Sequence, residues 1–415
     1  MDGDKPLRTK TNRPQVRLSV RIASYVFLLV LLGTMLEISG RVAFYCWDDL
    51  SQLRCSLGLQ GTLALDSYET PDSDDPTLWR LRSGFQQTLA QAVASKKTKG
   101  AVLGQRHLRL QAKALNVARD DVIYRVNSTG FKGPEIDSTK NRTRVLCLGD
   151  SCTFGSLFDQ YCYARSMQRE FATLGNPAEV INAGVEGYSP KHILKRIDEF
   201  KRLKPDIATV YIGWNAMYDE RHIAPLVGGM KYQSGALWVA SKVWERVSSL
   251  TSSTPEAALA AFQKKRFPDR NATELAAIQS YEFSFFPDVI AVIDELQSVG
   301  TCVVLITLPG LYTMDQEPND EALRKGHLPD FTKNPFVLAK MTEVYNDQIR
   351  DLAVQRDLQV IDLAKWSDSA LTPREKFFLD AVHLSEQGQQ MIGRKIAHEL
   401  NRTTLIKTVS HNTSD

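Results

Sequence analysis

The sequence predicts an α/β protein whose main domain is a three-layer α/β/α sandwich built on a five-stranded parallel sheet. Three observations support this prediction. The composition is that of a globular chain, with 43% hydrophobic and 24% charged residues over 415 positions. Beyond residue 140, five short apolar runs alternate with segments of helical spacing. The runs are continuously apolar, as expected for strands that are covered by helices on both faces.

The alternating elements follow one another in a simple order. The helical segment 163–175 stops at a glycine, which suits a C-cap, and the segment 189–203 begins with Ser-Pro, which suits a first helical turn. Right-handed crossovers between parallel strands leave few topologies, of which a flavodoxin-like order is the simplest. The predicted strands lie within 144–151, 178–184, 206–214, 301–309 and 358–364, and the predicted helices at 163–175, 189–203, 286–300, about 335–356 and about 385–400.

The main domain is predicted to span 141–405 and to carry an insertion. Between about 216 and 283 the segments are helical and polar without a strong strand pattern, so the alternation is interrupted there. Residues 48–140 are predicted to be an N-terminal extension or linker, partly helical in its first part, and residues 406–415 a tail.

The N-terminus has the pattern of an export signal or a signal anchor. Residues 1–21 hold six lysines and arginines against two aspartates, and an apolar run of about fifteen residues follows, from Ile22 to Leu36. A bilayer span needs roughly 20 residues, but apolar positions continue to Trp47 and no small-x-small cleavage site follows the run. We predict a cytoplasmic leader over 1–21, an uncleaved transmembrane anchor over 22–47, and a single-pass protein whose remainder lies outside the cytoplasm. A removed signal peptide and a buried core helix are the alternatives.

Charge and cysteine usage exclude some partners and leave one disulfide open. The net charge is +3 and the leader holds a surplus of four, so the remaining chain carries a net charge of −1 and offers no basic face for nucleic acid. The six cysteines show no zinc-site spacing, and neither a metal nor another cofactor is predicted. Cys46 and Cys55 could form a disulfide in an oxidising compartment.

Polar residues with catalytic chemistry stand where the predicted strands end, at the edge where open α/β sheets bind ligands. A serine hydroxyl is a weak nucleophile until a base takes its proton, and histidine is the usual base near neutral pH. The other ring nitrogen of that histidine needs a carboxylate to orient it. We therefore predict Ser151 as the nucleophile, His383 as the base, and Asp380, three residues before His383, as the orienting acid.

The negative charge that develops on the attacked carbonyl oxygen needs hydrogen-bond donors aimed at it. The backbone N–H of Ser151, the N–H of Gly184 and the side-chain amide of Asn215 are the predicted donors. Each residue alone has a plainer explanation, because Gly-Asp-Ser is often a turn with a helix N-cap and an Asp-x-x-His pair is more often a surface feature. Their joint occurrence at successive predicted strand ends favours catalysis.

Residues 144–155 resemble the GDSL block of the SGNH hydrolase superfamily, and the other blocks follow in family order, so the resemblance covers about 140–400. It implies that the acid of the DxxH block completes the triad and that Asp150 supports the nucleophile loop. The third block departs from the family pattern, because Ala216 stands where an aspartate is usual. The matching residues are Ser151, Gly184, Asn215, and Asp380 with His383.

The segment 126–136 is also similar to a stretch found in membrane-anchored bacterial members of this superfamily, some of which are linked to polysaccharide O-acetylation or deacetylation. The resemblance implies a serine ester hydrolase acting outside the cytoplasm, in the periplasm if bacterial, on O-acyl esters of carbohydrate. The alternatives are an O-acetyltransferase with the same triad, an esterase directed at lipid esters, and a non-catalytic glycan-binding scaffold component.

Overall fold

A parallel five-stranded sheet forms the centre of the protein. The computed structural model describes residues 18–46, 68–75, 77–95, 101–251 and 266–403. In chain order the strands are β1 (Glu69–Pro71), β2 (Trp79–Leu81), β3 (Gln86–Thr88), β4 (Val122–Arg125), β5 (Arg144–Gly149), β6 (Glu179–Gly184), β7 (Ile207–Tyr211), β8 (Cys302–Ile306) and β9 (Gln359–Ile361). The last five form one sheet in the order β6-β5-β7-β8-β9, and all neighbouring pairs are parallel. This is the flavodoxin-like order, so the predicted fold class is confirmed.

Helices flank this sheet. The central strands β5 and β7 are buried along their whole length, as strands covered on both faces must be. The helices span Leu18–Tyr45, Leu89–Ser95, Ala101–Ala114, Ser151–Phe154, Tyr163–Thr173, Pro190–Lys195, Ile197–Arg202, Trp214–Tyr218, Ala224–Val227, Met230–Gln233, Gly235–Thr251, Glu274–Ile278, Phe286–Gln297, Asp320–Lys325, Pro335–Gln355, Leu363–Ala370, Arg374–Phe377 and Glu386–Arg402.

Two predicted elements are broken or shortened in the structure. The predicted helix 189–203 consists of two helices that meet at Arg196, whose φ of −109° and ψ of 7° depart from helical values. The buried guanidinium of Arg196 pairs with Glu199 at 2.7 Å, which holds the chain in this conformation. The predicted strand 358–364 stops early, because Asp362 caps the helix that follows it.

The described part of the predicted extension contains four strands that the sequence pattern does not reveal. β1 pairs with β2 and β3 pairs with β4, both antiparallel. Each strand has only three or four residues, too few for a two-residue alternation to stand out. The rings of Tyr68 and Tyr124 both lie 5.6 Å from the ring of Phe154, so this layer packs against the segment that follows β5.

The segment between β7 and β8 is helical in its described part, in agreement with the predicted helical insertion. Some predictions fall outside the described residues. These are the leader up to residue 17, the partner Cys55 of the predicted disulfide, and the tail at 406–415.

The N-terminal helix combines an exposed apolar half with a half that packs on the protein. Its segment Ile22–Tyr45 has a mean hydropathy of 2.0 and is long and apolar enough to cross a membrane, a description that also fits a signal sequence. The apolar side chains from Ile22 to Leu36 are exposed, whereas Phe44 is buried in the core.

Candidate active site

The nucleophile turn follows the end of β5. Ser151 opens a short helix, and Asp150 caps that helix because its Oδ1 accepts the N–H of Cys152 at 2.9 Å. Asp150 is fully buried, and burial raises the pKa of its carboxyl to about 6. Asp150 is therefore placed to support the loop that carries the candidate nucleophile.

A glycine at the end of β5 lets the turn fold back onto the strand. A Cβ atom on Gly149 would lie 2.0 Å from Thr153 Oγ1 and 2.3 Å from the carbonyl oxygen of Tyr211, so no side chain fits there. In the sheet register Gly149 pairs with Gly184 of β6 and with Tyr211 of β7. The three strands therefore end level, and the residues that follow them meet at one edge.

Ser151, His383 and Asp380 form a continuous hydrogen-bonded line at this edge. His383 Nε2 lies 2.7 Å from Ser151 Oγ, although the two residues are 232 positions apart in the sequence. His383 Nδ1 lies 2.7 Å from Asp380 Oδ2. The other carboxylate oxygen accepts the N–H groups of Val382 and His383 at 2.9 and 2.8 Å, which fixes the acid within its own turn.

The charge of Asp380 makes His383 a stronger base than a free imidazole. Burial lowers the pKa of His383, but the hydrogen bond and the negative charge of Asp380 outweigh burial, so the pKa is raised above its usual 6.5. Burial acts to raise the pKa of Asp380, but its contacts with His383 outweigh burial and bring that pKa down to about 2. The acid is therefore ionised near neutral pH, and the imidazole is biased toward taking up a proton.

The predicted oxyanion donors are placed differently from one another. The N–H of Ser151 belongs to the first residue of a helix, so it has no acceptor within that helix. The side-chain amide of Asn215 donates one hydrogen to the carbonyl oxygen of Tyr188 at 2.9 Å, which leaves a second hydrogen on the same nitrogen. The N–H of Gly184, however, donates to Asn182 Oδ1 at 3.0 Å and is occupied in this structure.

A second glycine in the same turn has an amide without an acceptor among the described residues. Gly187 has a φ of +77°, a left-handed conformation that favours glycine, and its N–H finds no acceptor among the residues that the structure describes. The next residue, Tyr188, supplies the carbonyl oxygen that receives the amide of Asn215. The sequence alone favours Gly184, because that glycine ends the predicted strand. Which of the two amides is left free depends on the conformation of the turn, and the sequence pattern does not show that conformation.

The segment that carries these residues matches a known family. A model of the GDSL-like lipase/acylhydrolase family matches residues 147–391, more than half of the chain. The chain belongs to this family. The match contains Ser151, Asn215, Asp380 and His383, and the family implies an ester hydrolase.

Solved structures of family type resemble the fold. An acetyl xylan esterase is 19% identical, over 62% of this chain and 99% of its own, with a TM-score of 0.37. A lipase/acylhydrolase from Enterococcus faecalis is 20% identical, over 63% of this chain and 96% of its own, with a TM-score of 0.35. A catalytic mutant of an acetylxylan esterase from Geobacillus stearothermophilus is 14% identical, over 62% and 94%, with a TM-score of 0.37. No curated protein matches the chain. The assignment to the GDSL-like family rests on the sequence match.

Two ionisable residues near the triad have no sequence signal. His327 Nδ1 lies 3.8 Å from Asp380 Oδ2, so two imidazoles approach one carboxylate. The carboxylate of Glu186 accepts a hydrogen bond from the hydroxyl of Tyr68. Its negative charge lies close enough to His383 to contribute to the raised pKa of that imidazole. Both residues lie in irregular segments, and only the folding of the chain brings them to the site. Within the described ranges, no group of three or more His, Cys, Asp and Glu side chains is placed to hold a metal ion.

Replacing Gly184 by alanine separates packing from oxyanion binding. A Cβ atom at this position would lie 2.1 Å from the backbone nitrogen of Phe154, in the helix that carries the nucleophile. We expect Gly184→Ala to lower the free energy of unfolding by about 1–3 kcal/mol, because overpacking displaces that helix. Gly229→Ala is the matched control, since no atom lies within 4 Å of its Cβ position. Unchanged stability with a lowered kcat would contradict a packing role for Gly184.

Proposed function

We propose that the chain is a serine ester hydrolase that acts outside the cytoplasm on O-acyl, chiefly O-acetyl, esters of carbohydrate. The observation that carries the proposal is the pair of 2.7 Å contacts on the two ring nitrogens of His383, one to Ser151 Oγ and one to Asp380 Oδ2. A serine, an imidazole and a carboxylate in this order are the requirements for an acyl-enzyme mechanism.

In the first half-reaction, Ser151 Oγ attacks the ester carbonyl carbon while His383 Nε2 takes the hydroxyl proton. The N–H of Ser151, the amide of Asn215 and the N–H of Gly187 hold the oxyanion, with Gly187 in the role predicted for Gly184. Collapse of the tetrahedral species breaks the bond to the alcohol, which leaves with the proton from His383. Water, deprotonated by His383, then attacks the acyl carbon, and Ser151 regains its proton as the acid is released.

A substrate rich in hydroxyl groups suits the surroundings of the triad. Glu186 and His327 offer carboxylate and imidazole groups close to His383 and Asp380, and such groups hydrogen-bond sugar hydroxyls. An acyl-chain lipid would instead need an extended apolar channel to bury its tail. The polar surroundings therefore support a carbohydrate ester over a lipid ester.

Membrane attachment is supported by the packing of the N-terminal helix. Phe44, near its C-terminal end, is buried, and its ring centroid lies 5.3 Å from that of Trp238 and 6.2 Å from that of Tyr232. A removed signal would leave this aromatic cluster without one of its members. We therefore propose that the helix stays on the folded protein and anchors it in the membrane, with the basic leader in the cytoplasm.

Replacing Asn215 by alanine tests the oxyanion site. We expect kcat to fall by about 10²–10³-fold with little change in KM, because the lost amide stabilises charge that exists only in the transition state. Asn215→Asp, which keeps the shape but cannot donate, should behave alike. Asn401→Ala, which removes a side-chain oxygen that accepts a hydrogen bond from the amide of Asn176, is the control. A change confined to KM would argue against an oxyanion role.

Labelling by a fluorophosphonate, followed by assays on a panel of esters, tests the proposal directly. We expect the full chain to be labelled only when Ser151 is present, and to release acetate from acetylated oligosaccharides faster than fatty acid from acyl glycerols. Absence of Ser151-dependent labelling in folded protein would favour a glycan-binding scaffold. Acetyl transfer to an added oligosaccharide that exceeds hydrolysis would instead indicate an O-acetyltransferase with the same triad.

A further inference from the structure

The helix Gly235–Thr251 of the insertion begins on the candidate membrane-spanning helix. Glu37 accepts hydrogen bonds from the hydroxyl of Ser234 at 2.6 Å and from the N–H groups of Gly235 and Ala236 at 3.1 Å each. Arg41 pairs with Glu37 at 2.7 Å and donates to the carbonyl oxygen of Gln233 at 2.8 Å. The only carboxylate of the apolar helix thus serves as the N-terminal cap of the insertion helix.

The two helices also touch through their backbones. A Cβ atom on Gly40 would lie 2.3 Å from the backbone carbon of Gly235, and one on Gly235 would lie 2.2 Å from the nitrogen of Arg41. Small residues that allow such close approach are typical of helix pairs in membranes. This contact begins one residue after Leu36, and Ile38 and Val42 beyond it are exposed as well. The insertion therefore packs on one side of a helix whose other side continues to expose apolar side chains.

The insertion carries large apolar side chains that face solvent. On the helix Gly235–Thr251, Leu237 and Trp244 are seven residues apart and so lie on one face, with Ala240 between them. Trp244 is 72% exposed, whereas Trp238, on the face toward the N-terminal helix, is 4% exposed. We call the exposed set the apolar platform, which comprises Leu226, Met230, Leu237, Val243 and Trp244.

We propose that the apolar platform lies in the interface of the same lipid bilayer that holds the N-terminal helix. At 1.5 Å per residue, the fifteen residues from Ile22 to Leu36 cover only about 22 Å, which is short of the roughly 30 Å hydrocarbon core. The helix continues to Tyr45 and exposes Ile38 and Val42, so apolar surface is available past Glu37, at the level where the insertion packs on the helix. Apolar side chains on one face of a helix are stable about 5–10 Å into the headgroup boundary.

Charges near the platform agree with this placement. Glu37 would be costly near hydrocarbon as a lone ion, and its bonds to Ser234, the capping amides and Arg41 remove that cost. Lys231 and Lys242 belong to the same segment of the insertion, and cationic side chains beside an apolar face match anionic lipid headgroups. The catalytic domain would thus be held against the membrane at two places, by the span and by the platform.

This inference rests on the membrane anchor of the proposed function, and Trp244 provides a direct probe of it. The full chain is reconstituted in vesicles of phosphatidylcholine and phosphatidylglycerol with brominated acyl chains, which quench tryptophan that lies in the bilayer. The comparison is made in a Trp47→Phe background, because Trp47 ends the predicted anchor and would itself be quenched. In that background we expect Trp244→Phe to remove most of the remaining bromolipid quenching. The matched control is Trp366→Phe, in the helix Leu363–Ala370, which should leave the quenching unchanged.

The outcomes separate the platform from the anchor. Protein that stays in the membrane pellet after an alkaline carbonate wash but loses no quenching on Trp244→Phe overturns the platform and leaves the anchor intact. Protein extracted by the wash overturns both. If a second copy of the chain covers the platform instead, Trp244 stays unquenched and the detergent-solubilised protein is a dimer. Trp244→Asp would then make that dimer monomeric. This result also overturns the bilayer as the partner. Release of acetate, measured in the same vesicles, tests the ester hydrolase separately.

Discussion

Replacing Ser151 by alanine is expected to lower kcat/KM for an aryl acetate by on the order of 10⁶-fold, because removal of the nucleophile leaves His383 with nothing to activate for attack. The folded structure should be unaffected, because the described contact of Ser151 Oγ is the one to His383. The measurement is steady-state hydrolysis alongside the thermal unfolding midpoint, which should match that of the unaltered chain. Activity left over should come from the oxyanion donors and substrate binding alone.

Ser298→Ala is the matched control for this change, since its hydroxyl bonds only a carbonyl of its own helix end, that of Glu295 at 2.6 Å. It should retain full activity and full labelling by the fluorophosphonate. Hydrolysis by Ser151→Ala at a tenth or more of the original rate would rule out the acyl-enzyme route.

Replacing Asp380 by asparagine is expected to lower kcat by about 10⁴-fold and to move the acidic limb of the pH profile. Activity requires neutral His383, so kcat/KM rises with pH through the pKa of that imidazole. Asp380 is the main reason that this pKa lies above its usual value. Removing the charge lowers the pKa, so the limb should shift to lower pH even as the plateau falls.

The pH profile of kcat/KM is the measurement, and Asp347→Asn is the control. Asp347 pairs with Arg350 at 2.6 Å and has no contact with the triad, so its replacement should change neither the plateau nor the limb. A limb that stays in place in Asp380→Asn would mean that another charge sets the pKa of His383. Asp150 and Glu186, whose charges also raise the pKa of His383, would then be the groups to replace next.

The sheet and the meeting of the candidate site residues were predictable because the strands, and the strand ends that carry those residues, are each marked by a short stretch of chain. Five continuously apolar runs predict buried parallel strands. Right-handed crossovers between them then limit the possible strand orders to a few. Ser151, Asn215 and the Asp380–His383 turn all follow strands or precede a helix, and residues in those positions must meet at one edge of a parallel sheet. The acid and base lie three positions apart, so their contact needed only one turn.

Other features were decided by tertiary structure, because they depend on contacts between distant segments. The four short strands between residues 69 and 125 lack a periodic signal and exist through packing on Phe154. The turn occupies the amide of Gly184 and leaves that of Gly187 free, and His327 reaches Asp380 from a loop more than fifty residues away. By itself the sequence determined the family of the protein and named the candidate reacting groups, since local patterns encode both. The fold alone decided what surrounds those groups and which surface packs on the N-terminal helix, because these follow from where separate segments pack.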